Sequence, residues 1–178
     1  TDMRNVVLFI AMSLDGYIAA PDGSVAWLGG QDPGGNDSGS YDRFISDVSD
    51  IVMGYTTYHQ LKTELCPDAW PYPKQTTYVL THRAPEAAKD VVFTGEPVEA
   101  LLSRLKAQEG GEIWICGGAS VVHQCMRLGL IDRYHINMIP TILGDGIRLF
   151  GALEQEIPLR LLSTEHYNGI VDLVYTKR

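Results

Sequence analysis

The chain has 178 residues, 45% of them hydrophobic and 20% charged; this is ordinary globular usage and excludes a disordered tail, a coiled coil or a collagen-like repeat. A chain this long buries about 70% of its unfolded surface, enough for a core without a disulfide or metal staple, and a single domain over residues 1–178 is expected. With 14 basic and 22 acidic residues the net charge is −8, which argues against a nucleic-acid or anionic-membrane surface but leaves room for a local cationic pocket.

Residues 6–12 (VVLFIAM) form the longest apolar run, too short to span a bilayer and typical of a strand buried on both faces. The stretch from Ser13 to Gly23 contains two Asp-Gly turns and a proline, a compact excursion suited to folding over a bound ring. Residues 29–39 hold five glycines and are expected to form a mobile loop. Residues 40–49 then place Tyr41, Phe44, Ile45 and Val48 on one helical face.

Three short apolar runs follow, at residues 51–53, 77–80 and 91–93, and each is a candidate buried strand. The first runs into Gly54-Tyr55-Thr56-Thr57, where a threonine suits a helix N-cap and its hydroxyl equally suits a phosphate oxygen. The second surfaces on Thr81-His82-Arg83; the guanidinium matches phosphate geometry, and a solvated surface arginine is the plain alternative. Residues 97–108 open with proline, group Leu101, Leu102 and Leu105, and stop at Gly110-Gly111, the pattern of a helix.

Residues 113–116 (IWIC) are a fifth strand, leading directly into Gly117-Gly118-Ala119-Ser120 and a helix over residues 119–128. Glycines there admit a close ligand, and the helix start presents unpaired N–H groups; a tight-packing turn is the competing reading. The third glycine of the doubly wound dinucleotide fingerprint is missing. Each of these junctions lies at the C-terminal end of a strand, where open α/β sheets bind ligands.

The last third changes character. Residues 133–138 form a strand with Asn137 among apolar neighbours, either a substrate-orienting group or a buried amide satisfied by backbone. Residues 161–166 and 170–176 flank Asn168-Gly169, a strong hairpin signal, so this end of the sheet is expected to be antiparallel. Asp145, between two glycines, is expected to brace the loop after the first strand. Cys66, Cys116 and Cys125 lack CxxC spacing and imply free thiols in a reducing, cytoplasmic setting. The spacing of His59, His123, His135 and His166 suggests no metal site.

The order of FIAMSLDGYIA, VMGYTTY, YVLTHR, IWICGGASVV and PTILGDGIRLF resembles the dihydrofolate reductase-like superfamily. Within it, the chain is most similar to stand-alone bacterial relatives of the reductase domain of riboflavin-biosynthesis deaminase-reductases. The resemblance implies a three-layer α/β fold: a mostly parallel sheet, an antiparallel C-terminal hairpin and helices on both faces. It implies an NAD(P)H-dependent reductase, NADPH being the usual cofactor and NADH the alternative. The family default is reduction of a phosphoribosylamino-pyrimidine, 5-amino-6-(5-phosphoribosylamino)uracil, by a possible homodimer.

By the same resemblance, Ala11 and Ile18 would hold the nicotinamide carboxamide, and Gly54, Thr56 and Thr57 the pyrophosphate. Thr81, His82 and Arg83 would line the adenosine ribose and its 2′-phosphate. Gly117, Gly118, Ala119, Ser120 and Val121 would cradle the pyrophosphate from the other side, across a cis Gly117–Gly118 peptide. Trp27 and Phe44 are candidates to sandwich a flat substrate, with aromatic core packing as the alternative, and Asn137 is a candidate to orient it. Two departures stand out. Tyr55 replaces an arginine that faces the 2′-phosphate in many relatives. No acid on the helix after the glycine-rich loop matches the pocket carboxylate of folate reducers, since Asp42 falls off the apolar face and Asp37 lies in the loop. True folate reduction is therefore disfavoured, and a non-catalytic nucleotide-binding protein on the same fold is the rival reading.

Overall fold

In the computed structural model, which describes residues 4–178, helices are interspersed among the strands as far as the seventh strand. The order is β1 (Val6–Ser13), β2 (Tyr17–Ala19), α1 (Tyr41–Ser46), β3 (Val48–Gly54) and α2 (Tyr55–Gln60), which runs into a π-helical turn at Leu61–Leu65. Next come β4 (Thr76–Leu80), β5 (Val91–Thr94), α3 (Val98–Lys106), β6 (Glu112–Gly117) and α4 (Ala119–Arg127). The chain ends with β7 (Arg133–Ile139), β8 (Ile147–Arg148), β9 (Leu159–Tyr167) and β10 (Ile170–Lys177).

Eight strands form one sheet in the order β5-β4-β3-β6-β1-β7-β10-β9. The first six run parallel, and β10 is antiparallel to both β7 and β9. The mostly parallel sheet and antiparallel C-terminal hairpin are as the sequence implied. Residues of β1 alternate between two cores: Val6 and Leu8 pack with α3 and α4 on one face, Val7 and Phe9 with Phe44, Tyr58 and Trp114 on the other. Because β6 inserts between β1 and β3, the C-terminal ends of β1, β3, β4, β5 and β6 share one rim at a reversal of strand order. At the opposite rim the buried Arg4 donates to the carbonyls of Leu105 (2.8 Å) and Gly111 (2.7 Å) and pairs with Asp50.

Several local expectations change. Helix α1 is shorter than residues 40–49, because Val48 is already in β3 opposite Glu112 of β6; a sheet ladder outweighs the helical spacing of its side chain. The N-cap of α2 is Gly54 rather than a threonine. Asp145 bonds only the Gly146 N–H, and Asp15 does the bracing instead, accepting from the N–H groups of Leu143 (3.0 Å) and Gly144 (2.8 Å). A two-stranded ladder of β2 with β8, unforeseen from sequence, reinforces this clip.

The glycine-rich loop is clasped. Asn168, at φ +49°, accepts from Asp32 N–H and donates to Asp32 O and Asp37 Oδ1, while its carbonyl accepts from Gln31 N–H. Gly30 and Gly35 press against Asn168, and Gly39 against the Tyr167 ring, so closely that a Cβ at any of the three would overlap the neighbour. Three of the five glycines that suggested mobility serve this close approach.

Candidate functional site

At the C-terminal rim the chain crossings enclose a cleft of about 980 Å³. The turn from β6 into α4 forms its floor. Gly118 is the N-cap of α4 and offers no side-chain cap, so the first-turn N–H groups face the cleft unpaired by any side chain. The Gly117–Gly118 peptide is cis. A Cβ on Gly118 would lie 3.3 Å from Thr57 Oγ1, and one on Gly54 would lie 3.4 Å from Val121. Side chains here would fill the space between the two facing turns; glycine leaves it open for a ligand's backbone-like group.

Gly54, Thr56 and Thr57 line one wall, and Gly117, Gly118, Ala119, Ser120 and Val121 the facing one. Ala11 and Ile18 close the β1 end, and Thr81, His82 and Arg83 the far end. Every residue assigned to a cofactor by resemblance therefore borders one cavity. Sequence reasoning missed the end of β5 and the segment after it: Thr94, Gly95, Glu96 and Val98 also line the far end. Gly95 lacks a Cβ where His82 packs, since one would stand 2.7 Å from the His82 ring. Val25 and Leu28, from the loop after β2, cover the near end.

The far end carries charge. Arg83 stacks its guanidinium 4.8 Å from the centre of the Tyr55 ring, and Tyr55 stacks in turn on His59. The Thr81 hydroxyl accepts from the Arg83 N–H at 3.0 Å and shapes the turn. Glu96 faces the same space, but its carboxylate is held by Arg104 at 2.6 Å, whose hydrogen bond keeps it below the usual carboxylate range despite some desolvation. Among the described residues, Arg83 is left as the charge at the cleft whose side chain makes no ion pair.

The substrate candidates do not border this cleft. Phe44 is buried and stacks on Phe9 at 4.2 Å and 12°, so its sandwich partner is a core ring rather than Trp27. Trp27 is half-buried and donates through Nε1 to Ser24 O at 3.3 Å. Asn137 is buried, but its amide is satisfied by a side chain, Asp172 Oδ1 at 2.6 Å, not by backbone. Asp172 carried no sequence signal, because a lone acid in a hairpin strand looks solvent-facing until its register partner is known. Asp42 is exposed, and Asp37 is engaged with Asn168. Among the described residues no group of three or more metal-ligating side chains stands together, and no helix is long and apolar enough to cross a membrane.

The family model of the RibD C-terminal domain matches residues 4–173. YwjB, an uncharacterized protein of Bacillus subtilis (strain 168), is 41% identical over 176 residues, covering 98% of each chain. A Shewanella sp. PV-4 protein provisionally named for riboflavin biosynthesis superposes with a TM-score of 0.84 at 27% identity, over 98% of this chain and 99% of that one. Dihydrofolate reductase from Enterococcus faecalis, solved with NADP(H), superposes with a TM-score of 0.70 over 98% of this chain and 96% of its own; at 18% identity it is a likeness of fold.

Proposed function

The chain belongs to the RibD C-terminal domain family, and from that membership we propose that it is an NAD(P)H-dependent reductase acting on a small heterocycle, with 5-amino-6-(5-phosphoribosylamino)uracil as the first acceptor to try. The observation that carries the reading is the convergence of five strand ends on one cleft above the uncapped start of α4. Gly54, Thr56, Thr57 and residues 117–121 suit a diphosphate, and Arg83 with its neighbours Thr81 and His82 suits a phosphorylated ribose. Ala11 and Ile18 leave an apolar slot for a nicotinamide ring at the β1 end. When bound, the reduced dinucleotide supplies the hydride; the chain's part is to align the rings and exclude water.

The resemblance extends this reading to a cytoplasmic enzyme that pairs as a homodimer. The rival, a nucleotide-binding protein without turnover, draws on one observation: α1 offers no acid to the cleft, its Asp42 being exposed. Titration with NADPH and NADH, followed by nicotinamide emission and tryptophan quenching, tests the cofactor part. Binding of neither below about millimolar ends the reductase reading. Binding without oxidation by the pyrimidine, a pterin or a quinone favours the rival.

A further inference from the structure

Beside the cleft, on the α1 face of the sheet, five polar side chains meet among aromatic rings. Register aligns Ala11, Asn137 and Asp172 in one cross-strand row, and Phe9 with His135 in the adjacent one. Ala11 lines the cleft, and neighbouring strands stand only about 4.8 Å apart. The Asp172 side chain is 1% exposed. Its Oδ1 accepts from Asn137 Nδ2 at 2.6 Å and from the Tyr167 hydroxyl at 2.7 Å; its Oδ2 accepts from the Ser40 hydroxyl and faces His135 Nε2 at 3.3 Å. Burial pushes this carboxyl up, but hydrogen bonds from His135, Ser40, Asn137 and Tyr167 outweigh it and hold the group at about 2, ionised. A buried carboxylate is a poor source of stability compared with apolar packing, and the surrounding wall is otherwise Phe9, Phe44 and Trp114. Ser40 is also turned away from its own helix, since it stands at the N-cap of α1 but makes no cap bond there.

The bond directions fix the imidazole. The Ser40 proton is committed to Asp172, so its oxygen, 3.0 Å from His135 Nε2, can only accept; Nε2 carries the proton and Nδ1 is the nitrogen left with a free lone pair. Nδ1 has no hydrogen-bond partner among the described residues, yet the sealed side-chain atoms lacking one are Trp70 Nε1 and Thr77 Oγ1. The ring keeps an exposure of 11%. The trio is no nucleophile triad, because serine and carboxylate share the same ring nitrogen. The titratable groups around the ring are Asp172 from β10 and, through it, Tyr167 from β9; β1 and α1 present the Phe9 and Phe44 rings and the Ser40 hydroxyl.

We propose that His135, through Nδ1, donates the proton that accompanies hydride addition, and that Asp172 is the positioning residue that fixes its tautomer. This rests on the reductase reading and narrows the acceptor to a heterocycle with a polarised C=N or C=O bond. The Nδ1–H bond of the imidazolium breaks and a bond to hydrogen forms on the acceptor's heteroatom. The adjacent carbon takes the hydride pair from the reduced dinucleotide, the π bond opens, and the imidazole ends neutral until a solvent proton restores it.

Long-range ¹⁵N NMR of the imidazoles tests this directly in the intact protein. The expected spectrum has His135 as the Nε2–H tautomer in its neutral form, with its Nδ1 signal shifted by NADP⁺; Asp172→Asn releases the tautomer. In turnover with 5-amino-6-(5-phosphoribosylamino)uracil, His135→Gln is expected to lower kcat about a hundredfold and remove the alkaline limb of the kcat–pH profile. Intact NADP⁺ binding with His135 as the Nδ1–H tautomer, with its signals unmoved by NADP⁺, or with an unchanged pH profile in His135→Gln overturns the proposal alone. Failure of the wild-type protein to bind NADP⁺ overturns the reductase reading, and the proposal with it.

Discussion

At the proposed cofactor site, the choice between NADPH and NADH is expected to rest on two side chains. Tyr55 stands where the family resemblance would imply an arginine, and its ring is the shelf on which Arg83 lies at 4.8 Å, so Arg83 supplies the positive charge at the far end. A charge-assisted hydrogen bond contributes about 1.5–3 kcal/mol, and Arg83→Ala is expected to weaken NADPH about tenfold or more while changing NADH far less. Tyr55→Leu removes only the cation–π support, about 0.5–1 kcal/mol, and should weaken NADPH a few-fold in the same fluorescence titration. Equal losses for the two dinucleotides in Arg83→Ala would take that guanidinium away from the 2′-phosphate.

Among the elements, the clasp between the glycine-rich loop and the β9–β10 hairpin has the clearest consequence. Asn168 holds Gln31, Asp32 and Asp37 at once. Asn168→Gly keeps the left-handed turn but deletes those side-chain bonds, so residues 29–39 should exchange amide hydrogens faster and nick sooner under limited proteolysis, with the melting temperature nearly unchanged. Protection equal to wild type would mean that the loop holds itself. This clasp also marks where sequence reasoning stops. The hairpin was legible because Asn168-Gly169 is a local turn code, and the strand-to-Gly junctions at 54 and 117 were legible because their chemistry is written in adjacent residues. Neither the Asn168 contacts nor the Asp172 cluster is local: each depends on which strands become neighbours, and no periodicity encodes that. The same limit explains why the bracing expected of Asp145 falls to Asp15, an acid in another turn, where β2 pairs with β8.

For the molecule as a whole, Asp172 is a buried contributor to the response to acid. Its carboxyl titrates at about 2 when folded, against an ordinary value of 3.8, so its ionised form favours folding above pH about 4 and that contribution fades as pH falls toward 2, to a total of about 2 kcal/mol. Melting temperatures between pH 7 and pH 3 should fall in wild type and fall less steeply in Asp172→Asn; identical slopes would mean the group is not ionised in the fold. Assembly belongs to this scale as well. The edge strand β9 leaves Leu161 and Leu162 each 52% exposed, so if the homodimer forms through this edge, Leu162→Glu should shift sedimentation velocity from dimer to monomer; a wild-type monomer would remove the homodimer from the proposed function.

The placement of β6 between β1 and β3 also bears on how the chain is made. Val6 pairs with Ile113, and Val7 with Trp114 and Arg133, so the most apolar strand leaves the ribosome well before either of its hydrogen-bonded neighbours and waits more than 100 residues for the first of them. Such long-range pairing slows folding and leaves a sticky segment waiting in the interim. A nascent chain halted before residue 112 is therefore expected to engage holding chaperones through residues 6–12 and to let go once the GG turn has emerged.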